Sequence, residues 1–375
     1  MLSPYAALSP DYYHDAEICK AEQTDLFARA WIFAGMTDDL SVADDYFLTS
    51  IADREVVVRN CQGTLRAFVN VCSHRQSRIH VQSRGNSRMV CPYHGWAYDD
   101  DGVPIGIPQA ENFPEVCANR QLFALQQLEL ECVGKFIFVR LQHGGAALQD
   151  FLGDAWAFLS VLSAGLDRRL DDLETVFDAN WKIVVENAVE SYHVPVVHSG
   201  TFSSSSQFST RDEDVSDQQF DVAGHSQRVA LADPDWLRRW KSFAQSLGRW
   251  PFEFDRYTHQ SVFPNFTVTS SMGYVLHVQR FVPDGVGKTR LNSRIYSVHC
   301  EGLSEEGSGV MQTIHEEAIK FVRRVIDEDR RACALVHEGS RFASRRAILG
   351  HDVEKRVRHF QNAYLKALGG QEECH

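Results

Sequence analysis

The sequence lacks any apolar run long enough to cross a bilayer, and the stretch Met1 to Lys20 has neither a basic start nor an apolar core. A cytoplasmic protein away from membranes is expected. It also lacks a surplus of positive charge. Lys and Arg number 38 against 50 Asp and Glu, a formal charge of -12, which argues against nucleic acid as a partner because phosphate backbones are held by clustered cations. Such a surface suits ordinary solubility or a basic protein partner. A disulfide framework is absent as well: the nine cysteines are odd in number and scattered from Cys19 to Cys374, a usage that fits a reducing compartment. No Gly-x-Gly-x-x-Gly follows a strand pattern, so no nicotinamide or flavin fold is expected, and no internal repeat is evident.

With 375 residues and 44% apolar composition, the chain can build two or three domains. Residues 12–34 read as a helix with Ala16, Ile18, Leu26, Phe27 and Trp31 on its apolar side, so residues 1–40 are expected to form a helical lead-in packed on the larger domain. From Asp45 short β-branched runs take over, as in 55–59, 65–69 and 134–140, and Asp99-Asp-Asp-Gly102 reads as a hairpin turn. Residues 41–146 therefore read as a small all-β domain. After Gly144-Gly145 the texture mixes helix and strand through 147–375, with apolar segments at 148–164 and from Asn180, strands at 260–281 and 289–298, and helices over 308–338 and 351–368. Ser199 to Gln219 reads as a surface loop or lid. The fold class predicted is α+β, with the all-β domain inserted in a larger α+β domain.

Two short pairs of soft ligands stand inside the β domain, Cys72/His74 and Cys91/His94, separated by sixteen residues. Two sulfurs and two nitrogens suit a tetrahedral zinc site, and equally a 2Fe-2S cluster with a His pair on one iron. The residue types alone do not choose. The order favours the cluster, because each loop gives one Cys and one His, whereas zinc fingers commonly pair like with like.

A second polar set lies in 180–198. On a helix, Asn187, Glu190 and His193 fall on one stripe of an otherwise apolar segment, and Pro195 is expected to end that helix near Val194, leaving His198 free to swing back beside His193. Two neutral imidazoles so placed make the nitrogen half of a metal site. The long C-terminal helix offers a carboxylate. Its apolar stripe runs through Phe321 or Val322, Val325, Cys333 and Val336 and is interrupted by Asp329, which needs a cation there, while Glu328 is expected to point away as a solvated charge. Two His and one carboxylate form the facial triad of non-haem iron(II) oxygenases. The plainer alternatives are a core histidine pair and an Asp329 ion pair with Arg330 or Arg331.

The pattern Cys-x-His-(x16)-Cys-x-x-His with Pro92, Gly95 and Trp96 resembles the Rieske iron-sulfur motif. Asn180-Trp-Lys182, Glu186-Asn187, Glu190-Ser-Tyr-His193 and His198 are similar to the mononuclear iron segment of Rieske non-haem iron oxygenase α subunits. The likeness continues through Ile326 to Arg330, 350–354 and 359–361, so it spans nearly the whole chain. It implies an all-β Rieske 2Fe-2S domain inserted in a helix-grip (START-like) catalytic domain. It also implies one 2Fe-2S cluster on Cys72, His74, Cys91 and His94, and one Fe(II) on His193, His198 and Asp329. Asn187 is then expected near the iron. Glu190 is expected to bridge the two centres across subunits of a head-to-tail homotrimer, where many relatives carry Asp, which places the chain nearer choline, glycine betaine and carnitine oxygenases than the naphthalene type. The plain alternative for Glu190 is a helix ion pair with Lys182.

The implied function is that of a terminal oxygenase component using O2 and electrons from NAD(P)H, delivered by a separate reductase with or without a ferredoxin. Arg75, Arg78, Arg84 and Arg88 are candidates for the docking patch, or else for pairing with acids. Its substrate would be a small aromatic acid or quaternary ammonium compound, to be hydroxylated, dihydroxylated or demethylated. Candidate cavity residues are Phe202, Phe208, Phe254, Tyr257, Phe263, Phe266, Tyr274 and Tyr296, with Arg280 or Arg294 to hold a carboxylate. Two other readings compete, a Rieske electron carrier without a second iron and a zinc-bound interaction protein.

Overall fold

The computed structural model describes residues 7–201, 217–231, 234–252 and 256–369. Short helices α1 (Asp11–His14) and α2 (Ala16–Ala21) lead into a π-helical turn, Glu22–Phe27, and then directly into strand β1 (Ile32–Met36). The expectation of one helix over 12–34 fails here. All of Ile32–Met36 is buried and pairs with a strand further along, and an unbroken apolar run carries no period that separates strand from helix. The chain divides into two units, Glu22–Phe151 and Met1–Ala21 with Leu152–His375. Residues 22–40 therefore belong to the β unit, and only the first part of the expected lead-in stays with the larger one.

The β unit contains β2 (Asp45–Ile51), β3 (Arg54–Cys61), β4 (Thr64–Val69), β5 (Arg84–Asn86), β6 (Ala97–Tyr98), β7 (Pro104–Gly106), helix α3 (Pro114–Ala118), β8 (Gln127–Val133) and β9 (Phe136–Arg140). Seven strands form an antiparallel sheet in the order β1-β9-β8-β4-β3-β2-β5, and β6 and β7 form the separate hairpin expected around Asp99–Gly102. That turn is fixed by the Asp99 carboxylate, which accepts from the amides of Asp101 and Val103. Gly102 is required there: its φ is +77°, and a Cβ would come within 2.9 Å of Phe68. Cys72–His74 lies in the loop after β4, and Cys91–Trp96 in the loop before β6.

After α4 (Leu148–Leu152), where the β unit ends, the larger unit runs through α5 (Asp154–Gly165) into β10 (Leu166–Phe177). This strand escapes a hydrophobicity reading because Asp167, Arg168, Arg169 and their neighbours are charged. It is an edge strand, where charge is tolerated and blocks further pairing. Next come α6 (Trp181–Val189), α7 (Val194–Val197), β11 (Asp217–Phe220), β12 (Ser226–Leu231), α8 (Pro234–Leu247), β13 (Arg256–Val262), β14 (Phe266–Ser271), β15 (Val275–Pro283), β16 (Thr289–Val298), α9 (Glu305–Ser340) and α10 (Lys355–Ala367). The second sheet is antiparallel in the order β10-β16-β15-β14-β13-β12-β11. Most of the expected Ser-rich loop, with Phe202 and Phe208, lies outside the described residues, as does Phe254.

Helix α9 is 36 residues long and starts earlier than patterning suggests, because the Ser304 hydroxyl caps it by accepting from the Gly307 amide and Glu305 and Glu306 favour its positive end. Its apolar face, with Met311, Ile314, Ala318 and Val322, packs on Tyr274, Val275 and Ile295 of the sheet. This is the gripped long helix of the expected fold. The stripe stops at Cys333, since Val336 is exposed.

Asn70, 1% exposed at the end of β4, holds the first Cys/His loop. Its amide donates to the His80 carbonyl and Glu55 carboxylate, each at 2.7 Å, and its oxygen accepts from the amides of Ile79 and His80. Asn70→Ala strands buried polar groups of the loop and is expected to lower unfolding free energy by about 3 kcal/mol. Urea unfolding of the variant checks this, and a loss below about 1 kcal/mol would show the loop to be held by other contacts.

Candidate active site

The two Cys/His loops present their ligands asymmetrically. Cys72 and Cys91 are buried, with 1% and 2% of their surface exposed, whereas His74 is only half-buried and His94 exposed. The two rings lie together, 4.7 Å between centroids, and His74 stacks flat on Trp96. Cys91 is turned by backbone bonds, its amide to the Trp96 carbonyl and its carbonyl from the Gly95 amide. Burial raises the Cys72 thiol, but the Tyr98 hydroxyl at 3.0 Å and the His74 amide favour its thiolate. Thiols inside and imidazoles outside are what a two-iron cluster with one Cys-bound and one His-bound iron requires, so these residues fit that group. Of the nearby arginines, Arg78 is committed to a two-pronged pair with Glu55 and Arg75 reaches the Tyr93 hydroxyl.

In the larger unit, His193, His198 and Asp329 bring ligand atoms within 4.8 Å of one another. The Asp329 Oδ1 atom lies 3.1 Å from His198 Nε2 and 3.4 Å from His193 Nε2. Each imidazole is held from behind: His193 Nδ1 bonds Glu190, and His198 Nδ1 bonds Glu328 at 2.7 Å. Both Nε2 lone pairs are thereby aimed at one point beside a carboxylate. A divalent cation with open positions fits that donor set.

Glu328 corrects the sequence expectation. It is not a solvated charge, for its other oxygen accepts from Thr201 Oγ1 at 2.7 Å, and the pair clamps the end of the His198 turn to α9. Arg330 and Arg331 both pair with Asp327 instead of Asp329. Nor does α6 run on to Val194. It ends at Val189, where Glu190 turns extended and its carboxylate takes the amides of Tyr192 and His193, a local bond that competes with the helix. Pro195 then sits in the first turn of α7, where its missing N–H costs nothing. Lys182 lies buried against Tyr13, Trp181 and Tyr364, with Glu190 bonded elsewhere.

Charge follows this geometry. Burial opposes protonation of His193, but hydrogen bonds to Asp329 and Glu190 outweigh it and raise the imidazole to about 9. His198 is raised against burial in the same way by Asp329 and Glu328. Burial pushes the Asp329 carboxyl up, and bonds from His193, His198 and Asn187 bring it below the ordinary value. The cluster of acceptors thus asks for positive charge at its centre. Behind it, burial raises Glu186 to about 7 although Gln361 and Tyr13 donate to it.

A cavity of about 590 Å³ borders this triad, within the size range of small-ligand sites. Tyr257 and Tyr274 line it as expected, but Phe263, Phe266 and Tyr296 are packed in the core. Arg280 and Arg294 do not reach it. His277 and Gln279 of β15 face the cavity, so Arg280 is turned to the opposite face, and Arg294, directly across from Val278, shares that opposite face and pairs with Asp172. The lining arginines are Arg228, Arg324 and Arg356.

The family of ring hydroxylating alpha subunits (catalytic domain) matches residues 163–370, and the family of Rieske [2Fe-2S] domains matches residues 30–132. The glycine betaine monooxygenase oxygenase subunit of Chromohalobacter salexigens is 32% identical over 55% of this chain and 46% of its own length. The chloroplastic choline monooxygenase of Atriplex hortensis is 27% identical over 94% of this chain and 76% of its own. The matched part spans about half the length of the first of these relatives. Among solved structures, the quaternary ammonium Rieske monooxygenase CntA with L-carnitine superposes with a TM-score of 0.77 at 19% identity, over 98% of this chain and 96% of that one. Naphthalene 1,2-dioxygenase reaches the same TM-score at 20% identity, over 97% and 92%. These two likenesses concern the fold.

Because Glu328 orients His198, Glu328→Ala is expected to weaken metal binding by about 10- to 100-fold, with Glu328→Gln falling between it and the parent. Titration of metal-free protein with Co(II) checks this, and an unchanged affinity in the alanine variant would remove Glu328 from the site. The matched residues hold both candidate ligand sets and over half of the chain, and the chain belongs to the ring hydroxylating alpha subunit family, with a Rieske [2Fe-2S] domain.

Proposed function

We propose that the chain is the terminal oxygenase component of a multicomponent system, taking electrons that originate in NAD(P)H from a separate reductase, with or without a ferredoxin. The substrate is a small organic molecule, hydroxylated, dihydroxylated or oxidatively demethylated with O2. One observation carries the reading: a facial set of two imidazoles and a carboxylate, each imidazole braced by its own acid, opens on a cavity in a chain that also carries the Rieske ligands. A pure electron carrier has no use for the second set, and a zinc-bound interaction protein has no use for either cavity or triad.

When bound, the cluster stores and passes electrons, and the iron on His193, His198 and Asp329 supplies O2 activation. The protein's own part is geometric. Glu190 and Glu328 hold the Nδ1 protons of His193 and His198, so that Nε2 stays the ligand atom. Asn187 donates to Asp329 and keeps its carboxylate turned to the same point. The apolar face of α9, with Phe321, Val322 and Val325, excludes water from the cavity side where substrate would lie.

Glu190 is the candidate bridge between centres. Its carboxylate binds an iron-ligand imidazole, and the exposed Tyr192 and Val196 beside it suit a subunit contact. In a head-to-tail homotrimer, the outer nitrogen of His74 or His94 from one subunit would face Glu190 of the next. A cytoplasmic location is part of this reading; no helix among the described residues is long and apolar enough to cross a membrane.

Metal analysis should return about three irons per chain, with a red-brown spectrum; a colourless zinc protein would defeat the proposal. Glu190→Gln keeps an acceptor for His193 and is expected to retain both centres while product formation coupled to electron supply falls by about 100-fold. Turnover at the parent rate would remove the bridge. A monomer in sedimentation at assay concentration would remove the ring.

A further inference from the structure

One end of the cavity is built for negative charge. The register of the second sheet sets Arg228, His259, Thr269 and His277 in a single row across β12, β13, β14 and β15, and all four line the cavity. Arg356 reaches the same lining from α10. Its side chain is 3% exposed, and its partners are uncharged: Nε donates to Ser226 Oγ at 3.0 Å, and Nη2 meets the Ser226 carbonyl at 3.2 Å and His259 Nδ1 at 3.0 Å. Among the described residues, no carboxylate pairs with Arg356. The lining acids are occupied elsewhere, Glu190 and Asp329 by the imidazoles and Glu317 by Lys320 at 2.7 Å.

Arg356 is thus a buried guanidinium close to a second one and without a carboxylate partner among the described residues, a costly arrangement. The neighbouring groups register that field. Burial, then the charges of Arg356 and Arg228, hold His259 well below its ordinary range, and burial with Arg228 brings Arg356 itself down to about 9. Opposite this polar wall stands the apolar face of α9, with Ile314, Ala318, Phe321 and Val322. The two walls together describe a molecule with an apolar body and an anionic end.

We propose that the substrate is an organic carboxylate whose anionic group is held by Arg356, with Arg228 beside it, while its apolar body lies along α9 towards His193, His198 and Asp329. This rests on the oxygenase reading for the direction of the body, though not for the anion site itself. With Nε and Nη2 held by Ser226 and His259, Nη1 is the Arg356 nitrogen left to meet a carboxylate, and the same charges repel a simple quaternary ammonium cation.

The test is calorimetric titration of the iron-loaded protein with benzoate, benzamide and phenyltrimethylammonium, which share a ring and differ in charge. Benzoate is expected to bind at least about 10-fold more tightly than the neutral amide, and the cation not at all. Arg356→Gln should reduce benzoate to the level of benzamide with iron content unchanged. Should that variant fail to fold, Arg228→Gln is expected to weaken benzoate in the same direction. Equal binding of benzoate and benzamide, preferred binding of the cation, no benzoate binding, or parent-like benzoate affinity in a folded variant overturns the proposal. Iron content on the same samples separates the two readings. Three irons without benzoate preference sink the anion site alone, whereas benzoate preference without the second iron sinks the oxygenase and leaves the anion site standing.

Discussion

Everything in the larger unit's site depends on two hydrogen bonds behind the imidazoles. A neutral histidine has one proton to place, and when a carboxylate takes it at Nδ1 the lone pair must appear at Nε2. Glu190 and Glu328 impose that choice on His193 and His198, and both free nitrogens then converge on Asp329. The two acids come from different elements. Glu190 lies three residues before His193, just past the end of α6 at Val189, and its carboxylate braces the imidazole while also taking the next backbone amides. Glu328 stands next to Asp329 on α9, so one turn of a long, well-capped helix supplies both a candidate ligand and the brace for another.

The Rieske domain solves a comparable problem with loops in place of helices. Its ligands must be split between interior and surface, thiols where water cannot reach and imidazoles where another protein can. The β6–β7 hairpin and Trp96 do this by burying the floor of the site: Trp96 carries His74 on its face, and the Tyr98 hydroxyl reaches the sulfur of Cys72 from below. Gly95, at a φ of +72°, gives the second loop its reversal in the one conformation where a side chain would be strained. Hydrogen bonds to sulfur are among the means by which such a cluster's potential is set, and the Tyr98 hydroxyl stands 3.0 Å from the Cys72 sulfur.

Residue types and spacing made much of this legible. The four candidate cluster ligands form two short pairs that few structural explanations need, and Asp329 breaks an apolar stripe where a carboxylate needs a cation beside it, an arginine or a metal. What stayed hidden depended on distance and on parity. Glu328 reads as surface because sequence spacing cannot report that His198 and Thr201 fold back over α9. The end of α6 was misplaced because Pro195 serves the first turn of a helix as readily as it ends one, and nothing in 180–198 separates the two. Strand β1 lost its identity in an apolar run, and β10 in an edge strand's charge. Arg280 and Arg294 were wrong by one residue of strand alternation, a slip that carries a side chain through the sheet.

Arg356 is marked in the sequence in the same way as Asp329, as a charge within an apolar helical stripe. The buried residues of α10 are Arg356, Val357, Phe360, Gln361 and Tyr364, an apolar stripe with polar interruptions at helical spacing. Each interruption has its own use. Gln361 donates to the buried Glu186 on α6 and accepts from the Leu8 amide, while Arg356 reaches the cavity through Ser226 and His259. One face of the last helix therefore fixes α6, from which Asn187 meets Asp329, and also sets a charge in the cavity. Because both tasks hang on one rigid helix, a shift of α10 against the sheet would disturb the ligand geometry and the cavity's charge together, and neither could drift without the other.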